Sequence, residues 1–185
     1  MIAAVTGGAS SKKSEYAEAI VMAVRKKPPV YLATMINSGK EDEKIVARHR
    51  ELRAGKGFVT VEKAVRLYEA RIPDSDTILL EDAANLVANE FFSYPETVLP
   101  QRVYSEVKKG LDFLASKAQN LVIVTGNVFE DGYEYDETMR SYLKVFGDVN
   151  RYIASISDCF AEIVCGCPVF YKGSSGLFQK ALETK

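Results

Sequence analysis

The first fourteen residues constrain the fold more than any other stretch of the chain. Residues 1–6 form a short apolar run, two glycines follow, and residues 15–24 have the spacing of an amphipathic helix. A strand, a glycine turn and a helix in this order bring backbone N–H groups and the positive end of the helix dipole to one point. The N-terminal segment is therefore predicted to be a cradle for phosphate groups.

The sequence of this cradle is close to the phosphate-binding pattern G-x-x-x-x-G-K-[ST]. In that pattern a lysine contacts the β- and γ-phosphates of a nucleotide and a hydroxyl binds Mg²⁺, which are the roles predicted for Lys13 and Ser14. Lys12 stands at the second glycine of the pattern, where a Cβ is expected to demand backbone strain or a changed loop geometry. The alternative is an ordinary Gly-Gly turn capped by serine.

Length and charge narrow the class of protein. A chain of 185 residues fits one α/β unit, so residues 1–185 are predicted to form a single P-loop nucleotide-binding domain. The formal net charge of -1 gives no global field that would select nucleic acid or an anionic membrane. We find no signal-peptide pattern, no apolar run of roughly 20 residues, and an odd number of cysteines that suits a reducing compartment. We expect a cytoplasmic protein with no membrane span and no nucleic-acid partner.

Apolar runs alternate with amphipathic segments along the whole chain. This alternation predicts a parallel sheet covered by helices on both faces. The predicted fold class is α/β, a P-loop NTPase (RecA-like) three-layer domain with a mostly parallel central sheet. After the first strand and helix, strands are predicted at residues 30–33, 58–61, 77–80, 121–125, 161–165 and 168–171, with the last two at the sheet edge. Helices are predicted at residues 41–54, 83–92, 101–117 and 136–157, with a helix or helical turn at 63–71.

Two acidic residues, Glu81 and Asp82, follow the predicted strand at 77–80 and precede the predicted helix at 83–92. A P-loop protein places a second carboxylate that organises Mg²⁺ at the end of such a strand. The alternative is a helix N-terminus that merely favours acidic side chains. Taken with the phosphate cradle, the position favours the functional interpretation, with Ser14 and Glu81 as metal ligands.

The single histidine, His49, lies in a strongly basic stretch of the predicted helix at 41–54. Arg50 and Arg53 supply donors suited to phosphate oxygens. A neutral imidazole, whose ordinary pKa is about 6.5, can attack phosphorus and form a phosphoramidate. The alternative is a solvated basic helix face, which is what a run of charge on a helix usually forms.

Short motifs along the chain occur in the order in which one enzyme family carries them. They are T-G-G-A-S-S-K-K-S at 6–14, Y-L-A-T at 31–34, H-R-E-L-R at 49–53, T-V-E at 60–62, L-L-E at 79–81 with Asn89, V-T at 124–125 and G-D-V-N at 147–150. From residue 1 to about residue 172, the chain resembles the bifunctional adenosylcobinamide kinase/adenosylcobinamide-phosphate guanylyltransferases of cobalamin assembly. Residues 126–129 depart from the family's N-E-V-G, and Glu130, Asp131 or Glu134 are candidates to replace its glutamate.

The resemblance implies a reaction in two steps with His49 and Lys13 as catalytic residues. In the first, a γ-phosphoryl group of ATP or GTP passes, with Mg²⁺, to the side-arm hydroxyl of adenosylcobinamide. In the second, His49 takes GMP from GTP and passes it to the new phosphate. The resemblance further implies a homo-oligomer. The nucleotide-binding residues it implies are Gly7, Gly8, Ala9, Ser10, Ser11, Lys12, Lys13, Ser14, Ala33, Thr34, Met35, Arg50, Glu51, Leu52, Arg53, Glu62 and Glu81.

Two other functions stay open from the sequence. One is a P-loop small-molecule kinase in which His49 has no chemical role, and the other is a non-catalytic nucleotide-binding homologue. The departures at Lys12 and at residues 126–129 weaken the prediction of the kinase step and of the substrate more than that of guanylyl transfer. His49 and the arginines after it match the family.

Overall fold

The computed structural model describes residues 1–36, 55–93, 99–128 and 134–173, together with Gly176. The predicted helix at 41–54 lies outside these residues. The described strands are β1 (Ile2–Thr6), β2 (Val30–Ala33), β3 (Val59–Glu62), β4 (Thr77–Glu81), β5 (Asn120–Val124), β6 (Cys159–Val164) and β7 (Cys167–Lys172). The described helices are α1 (Lys13–Val24), α2 (Ala83–Phe92), α3 (Pro100–Lys117) and α4 (Glu137–Ile156), with a short 3₁₀ helix at Leu67–Glu69.

The described strands form one sheet in the order β3-β2-β4-β5-β1-β6-β7. Strands β1 to β6 are parallel, and β7 runs antiparallel to β6. Pro168 lies on the edge strand β7, where a missing N–H is tolerated. The prediction that both final strands lie at the edge is wrong for β6. A tight turn at Cys165 and Gly166, both with positive φ, folds β7 onto the outer side of β6.

Neighbouring residues of the inner strands point into two different apolar layers. On β1, Ala3 and Val5 pack in the layer that contains α1, whereas Ala4 packs in the layer that contains α2, α3 and α4. On β4, Leu79 belongs to the first layer and Leu80 to the second. Because both faces are covered, these strands are apolar without alternation. The predicted three-layer α/β arrangement with helices on both faces is confirmed.

The parallel strands all end at the same side of the sheet, which we call the carboxyl edge. Ala33 on β2 is in register with Glu62 on β3 and Glu81 on β4, so these three residues form a row along it. Strand β5 lies between β4 and β1. Ligands of open α/β sheets bind beyond the carboxyl ends of the strands. The carboxyl edge is therefore the place to look for a site.

No helix in the described ranges is both long enough and apolar enough to cross a membrane.

Candidate active site

The loop from β1 to α1 is a sharply bent segment packed against β6. Gly7 has a φ of 151°, and a Cβ there would lie 2.7 Å from the carbonyl oxygen of Ile163 and 2.7 Å from Ser11 Oγ. Only glycine fits at this position. Helix α1 then begins at Lys13, and no described side chain caps it. Its first backbone N–H groups are therefore available to an anionic ligand.

Lys12 adopts the strained conformation that the sequence led us to expect. Its φ of 74° and ψ of 17° are left-handed values that glycine tolerates and a residue with a Cβ does not favour. The side chain of Lys12 extends towards the β6–β7 turn. Its Cδ lies 3.9 Å from the position that a Cβ on Gly166 would occupy. Lys12 thus holds the left-handed conformation to which the glycine of the pattern is suited.

Replacing Lys12 with glycine is expected to stabilise the protein by about 1 kcal/mol, since it removes the left-handed strain. For a chain of this length, that change raises Tm by roughly 2–4 °C. Thermal unfolding of Lys12→Gly checks the prediction, with Lys12→Ala as the matched control because it keeps a Cβ. A Tm for Lys12→Gly at or below that of Lys12→Ala would show that the loop is not strained at Lys12.

Ser14 and Glu81 meet at the base of the loop. Ser14 Oγ donates a hydrogen bond to Glu81 Oε1 at 2.7 Å. The other carboxylate oxygen, Glu81 Oε2, is buried and has no hydrogen-bond partner among the described residues. Burial, together with the charge of Asp82, raises the pKa of Glu81 to about 8, while Ser14 and Lys13 act in the opposite direction.

This pair fits a divalent cation. Mg²⁺ prefers oxygen ligands and commonly uses one or two carboxylates together with substrate phosphates. A buried carboxylate oxygen without a partner is costly unless a cation or a proton satisfies it. The residues predicted as metal ligands, Ser14 and Glu81, therefore lie side by side, and their oxygens suit Mg²⁺.

The loop itself offers donors to phosphate oxygens. Lys13 Nζ donates to the carbonyl oxygen of Gly8 at 3.3 Å, so the ammonium lies over the loop. Ser11 Oγ is buried and finds no partner in the part of the chain that is described. An ammonium, a hydroxyl and the open N–H groups of a helix are the donors that phosphate groups need.

Thr34 links the ends of β2 and β4. Its hydroxyl donates to the carbonyl oxygen of Asp82 at 2.8 Å and accepts from the Asp82 N–H at 2.9 Å. Asn89 Nδ2 donates to the carbonyl oxygens of Thr34 at 2.7 Å and of Ala64 at 3.2 Å. Asn89 lies near the end of α2, so this helix stays at the carboxyl edge beyond β2 and β3.

Two of the sequence motifs, V-T at 124–125 and G-D-V-N at 147–150, meet at the carboxyl end of β5. Thr125 Oγ1 donates to Asn150 Oδ1 at 2.7 Å, and Asn150 Nδ2 donates to the carbonyl oxygen of Gly126 at 3.2 Å. The backbone N–H of the next residue, Asn127, donates to the carbonyl oxygen of Gly7 at 3.3 Å. The loop after β5 is thereby attached to the start of the phosphate-binding loop.

Glu162 is a carboxylate of this region that sequence reasoning missed. It lies in register with Thr6 at the carboxyl edge, and its two oxygens accept from Asn127 Nδ2 at 3.3 Å and Tyr171 OH at 2.7 Å. The available signal was an acidic residue inside an otherwise apolar strand, β6. Of the acidic residues considered for the loop after β5, Glu134 is exposed, whereas Glu130 and Asp131 lie outside the described residues.

The structure brings the loop at 7–14 and residues Ala33, Thr34 and Glu81 to the carboxyl edge, with Glu62 exposed at the end of β3. Where the described chain resumes after residue 54, Lys56 forms an ion pair with the buried Glu18 of α1. The predicted residues that lie outside the described ranges are His49, Arg50, Glu51, Leu52 and Arg53.

Comparison with known proteins identifies the family. The family model described as cobinamide kinase / cobinamide phosphate guanyltransferase matches residues 3–170. The chain belongs to this family. The bifunctional adenosylcobalamin biosynthesis protein CobU of Escherichia coli K12 is 27% identical to it over 186 residues, covering 93% of this chain and 100% of that protein. Membership in the cobinamide kinase/guanyltransferase family confirms the resemblance predicted from the motifs.

Solved structures give weaker similarities. A KaiC-like protein from Pyrococcus horikoshii OT3 is 10% identical with a TM-score of 0.48, covering 87% of this chain and 69% of that one. The P4 protein of bacteriophage phi6, in complex with ADP, is 9% identical with a TM-score of 0.40, covering 90% of this chain and 52% of that one. The P-loop NTPase fold is assigned from the strand order, the loop and the family, and not from these similarities.

Proposed function

We propose that this protein phosphorylates the side-arm hydroxyl of adenosylcobinamide and then transfers GMP from GTP to the resulting phosphate. The observation that carries the proposal is the contact of Ser14 Oγ with Glu81, 2.7 Å long, below an uncapped helix N-terminus. In a chain of the cobinamide kinase/guanyltransferase family, this arrangement supports a nucleotide-dependent transferase over a protein that only binds nucleotide.

For the first step, residues 7–14 would hold the phosphates of ATP or GTP, with Lys13 at oxygens of the β- and γ-phosphates. Ser14 and Glu81 would hold Mg²⁺. When bound, this ion neutralises charge on the phosphate oxygens. The corrinoid hydroxyl attacks the γ-phosphorus and releases its proton to solvent, the bond from that phosphorus to the β,γ-bridging oxygen breaks, and the nucleoside diphosphate leaves with the electron pair.

For the second step, we assign the nucleophile to His49. An imidazole nitrogen attacks the α-phosphorus of GTP, the bond to the α,β-bridging oxygen breaks, and pyrophosphate leaves with the electron pair. A phosphate oxygen of adenosylcobinamide phosphate then attacks the same phosphorus and breaks the P–N bond. Arg50 and Arg53 would pair with the phosphate oxygens. This assignment rests on the family motif and on the chemistry of histidine.

A Glu81→Gln variant is expected to lose Mg²⁺-dependent phosphoryl transfer by about 100-fold, the size of effect typical for one group that stabilises developing charge. The fold should survive, because glutamine has the same shape and the folded protein already disfavours charge at this buried position. Phosphoryl transfer measured across Mg²⁺ concentrations, together with Tm, checks both statements. Asp74→Asn is the matched control. Asp74 is an exposed carboxylate that lies just before the amino end of β4, whereas Glu81 lies at its carboxyl end. A steep fall in Tm with unchanged Mg²⁺ dependence would make Glu81 structural.

Labelled nucleotides separate the proposal from its alternatives. Incubation with α-labelled GTP should leave an acid-labile, alkali-stable label on the protein, as a phosphoramidate does. Incubation with γ-labelled nucleotide and cobinamide should label the corrinoid. A kinase without the second step would label only the corrinoid. A non-catalytic homologue would bind nucleotide reversibly and label neither.

A further inference from the structure

Aromatic rings from the last turn of α2 and the first half of α4 form a continuous group. The ring centroids of Phe92 and Tyr142 are 5.5 Å apart, those of Phe91 and Phe92 are 4.9 Å apart, and the rings of Tyr142 and Phe146 are stacked at 6.1 Å. Phe91 and Phe146 belong to the buried core. Phe92 is 51% exposed and Tyr142 is half-buried, so the group reaches the surface at these two rings.

This group lies beside the proposed active site. A Cβ at Gly126, just beyond the carboxyl end of β5, would lie 3.6 Å from Cβ of Ala84, 3.8 Å from Cζ of Phe146 and 3.9 Å from Cγ1 of Val128. Ala84 follows Glu81 by three residues, and Val128 is 40% exposed. The hydrogen bonds of Asn89 keep the C-terminal half of α2 at the same edge. Phe92, Tyr142 and Val128, which we call the aromatic surface, therefore lie on the α2–α4 side of the carboxyl edge.

The chemistry of the proposed substrate matches this surface. A corrin is a wide, partly conjugated ring with apolar faces and polar amide arms, and the hydroxyl that is phosphorylated is on one arm. That hydroxyl must reach the γ-phosphate at the loop, so the ring has to rest at the carboxyl edge next to the nucleotide. Exposed aromatic side chains next to a reactive site are typical of ligand-binding surfaces, since they bury a large apolar area on contact.

We propose that the aromatic surface binds a face of the corrin ring and so holds the second substrate beside the nucleotide. The inference rests on the proposed function and adds the location of the second substrate to it. Ring burial between the two aromatic side chains and Val128 would supply affinity that is largely independent of the amide arms. The nucleotide would be held by other residues, those of the loop at 7–14.

A Phe92→Ala variant is expected to raise the KM for cobinamide by about tenfold, the loss that removal of one stacked aromatic ring produces. The turnover number at saturating cobinamide should stay within about twofold, because the ring binds ground state and transition state alike. Phe92→Trp, which restores an aromatic face, should return KM towards the wild-type value. Val169→Ala is the control, since Val169 is 44% exposed but lies on the edge strand β7.

Direct binding completes the test. Equilibrium dialysis of cobinamide against each variant, with a non-hydrolysable triphosphate present, should show the same tenfold weakening for Phe92→Ala alone. An unchanged KM and Kd for cobinamide, with or without a lower Tm, would overturn the inference and leave the proposed function standing. A weakened Kd for the nucleotide in place of cobinamide would assign the surface to the purine base and overturn it too. Failure of the wild-type protein to bind or phosphorylate cobinamide would contradict both the proposed function and the role of the aromatic surface.

Discussion

A His49→Asn variant is expected to take up no label from α-labelled GTP. Asparagine resembles histidine in size but has no nitrogen lone pair able to attack phosphorus, and the chain has no second histidine to take over. The affinity for GTP should stay within a few-fold, because a nucleophile contributes to the transition state more than to ground-state binding. The measurement is label retained on the denatured protein at alkaline pH, alongside a GTP titration.

The kinase activity of His49→Asn is the internal control for this experiment. Phosphorylation of cobinamide should continue, since we assign γ-phosphoryl transfer to Lys13, Ser14 and Glu81, all at the loop and the end of β4. Label that persists on the Asn variant would rule out His49 as the nucleophile. Loss of phosphorylation together with labelling would instead indicate that the substitution disturbs the nucleotide site as a whole.

A Lys13→Ala variant is expected to weaken triphosphate binding by about 10- to 100-fold, the value of one or two charge-assisted hydrogen bonds. The ammonium of Lys13 already lies over the loop, 3.3 Å from the carbonyl oxygen of Gly8. Lys12→Ala should change the affinity by less than about threefold, because the Lys12 stem packs towards Gly166 in the β6–β7 turn. Titration of both variants with the same nucleotide checks the contrast, and equal effects would show that the proposed register of the loop is wrong.

Most elements could be predicted because their boundaries have local causes. Strand β2 and helix α2 have the predicted bounds. Strand β2 begins directly after Pro28 and Pro29, and Asp82 caps α2 by accepting a hydrogen bond from the Asn85 N–H. Helix α1 begins two residues before the predicted start. The predicted helical segment at 63–71 contains only the 3₁₀ turn Leu67–Glu69.

The long-range part of the site could be predicted only in outline. Ser14 could be placed near Glu81 because the loop that follows β1 and the end of β4 both lie at the carboxyl edge of a parallel sheet. The contact of Thr125 with Asn150 and the position of Glu162 beside Thr6 depend on which strands are neighbours. That order is set by packing among the helices and the whole sheet. The acidic residue inside the apolar strand β6 was the only local signal for Glu162, and it does not show that β6 lies beside β1.

The most direct test of the account is a chase of the labelled protein. The wild-type protein is first labelled with α-labelled GTP, freed of nucleotide, and then mixed with cobinamide phosphate in a single turnover. We predict that the label leaves the protein and appears on the corrinoid as a GMP adduct, joined through a pyrophosphate bond. Label that stays on the protein, or that is released only as free GMP, would contradict the proposed guanylyl transfer.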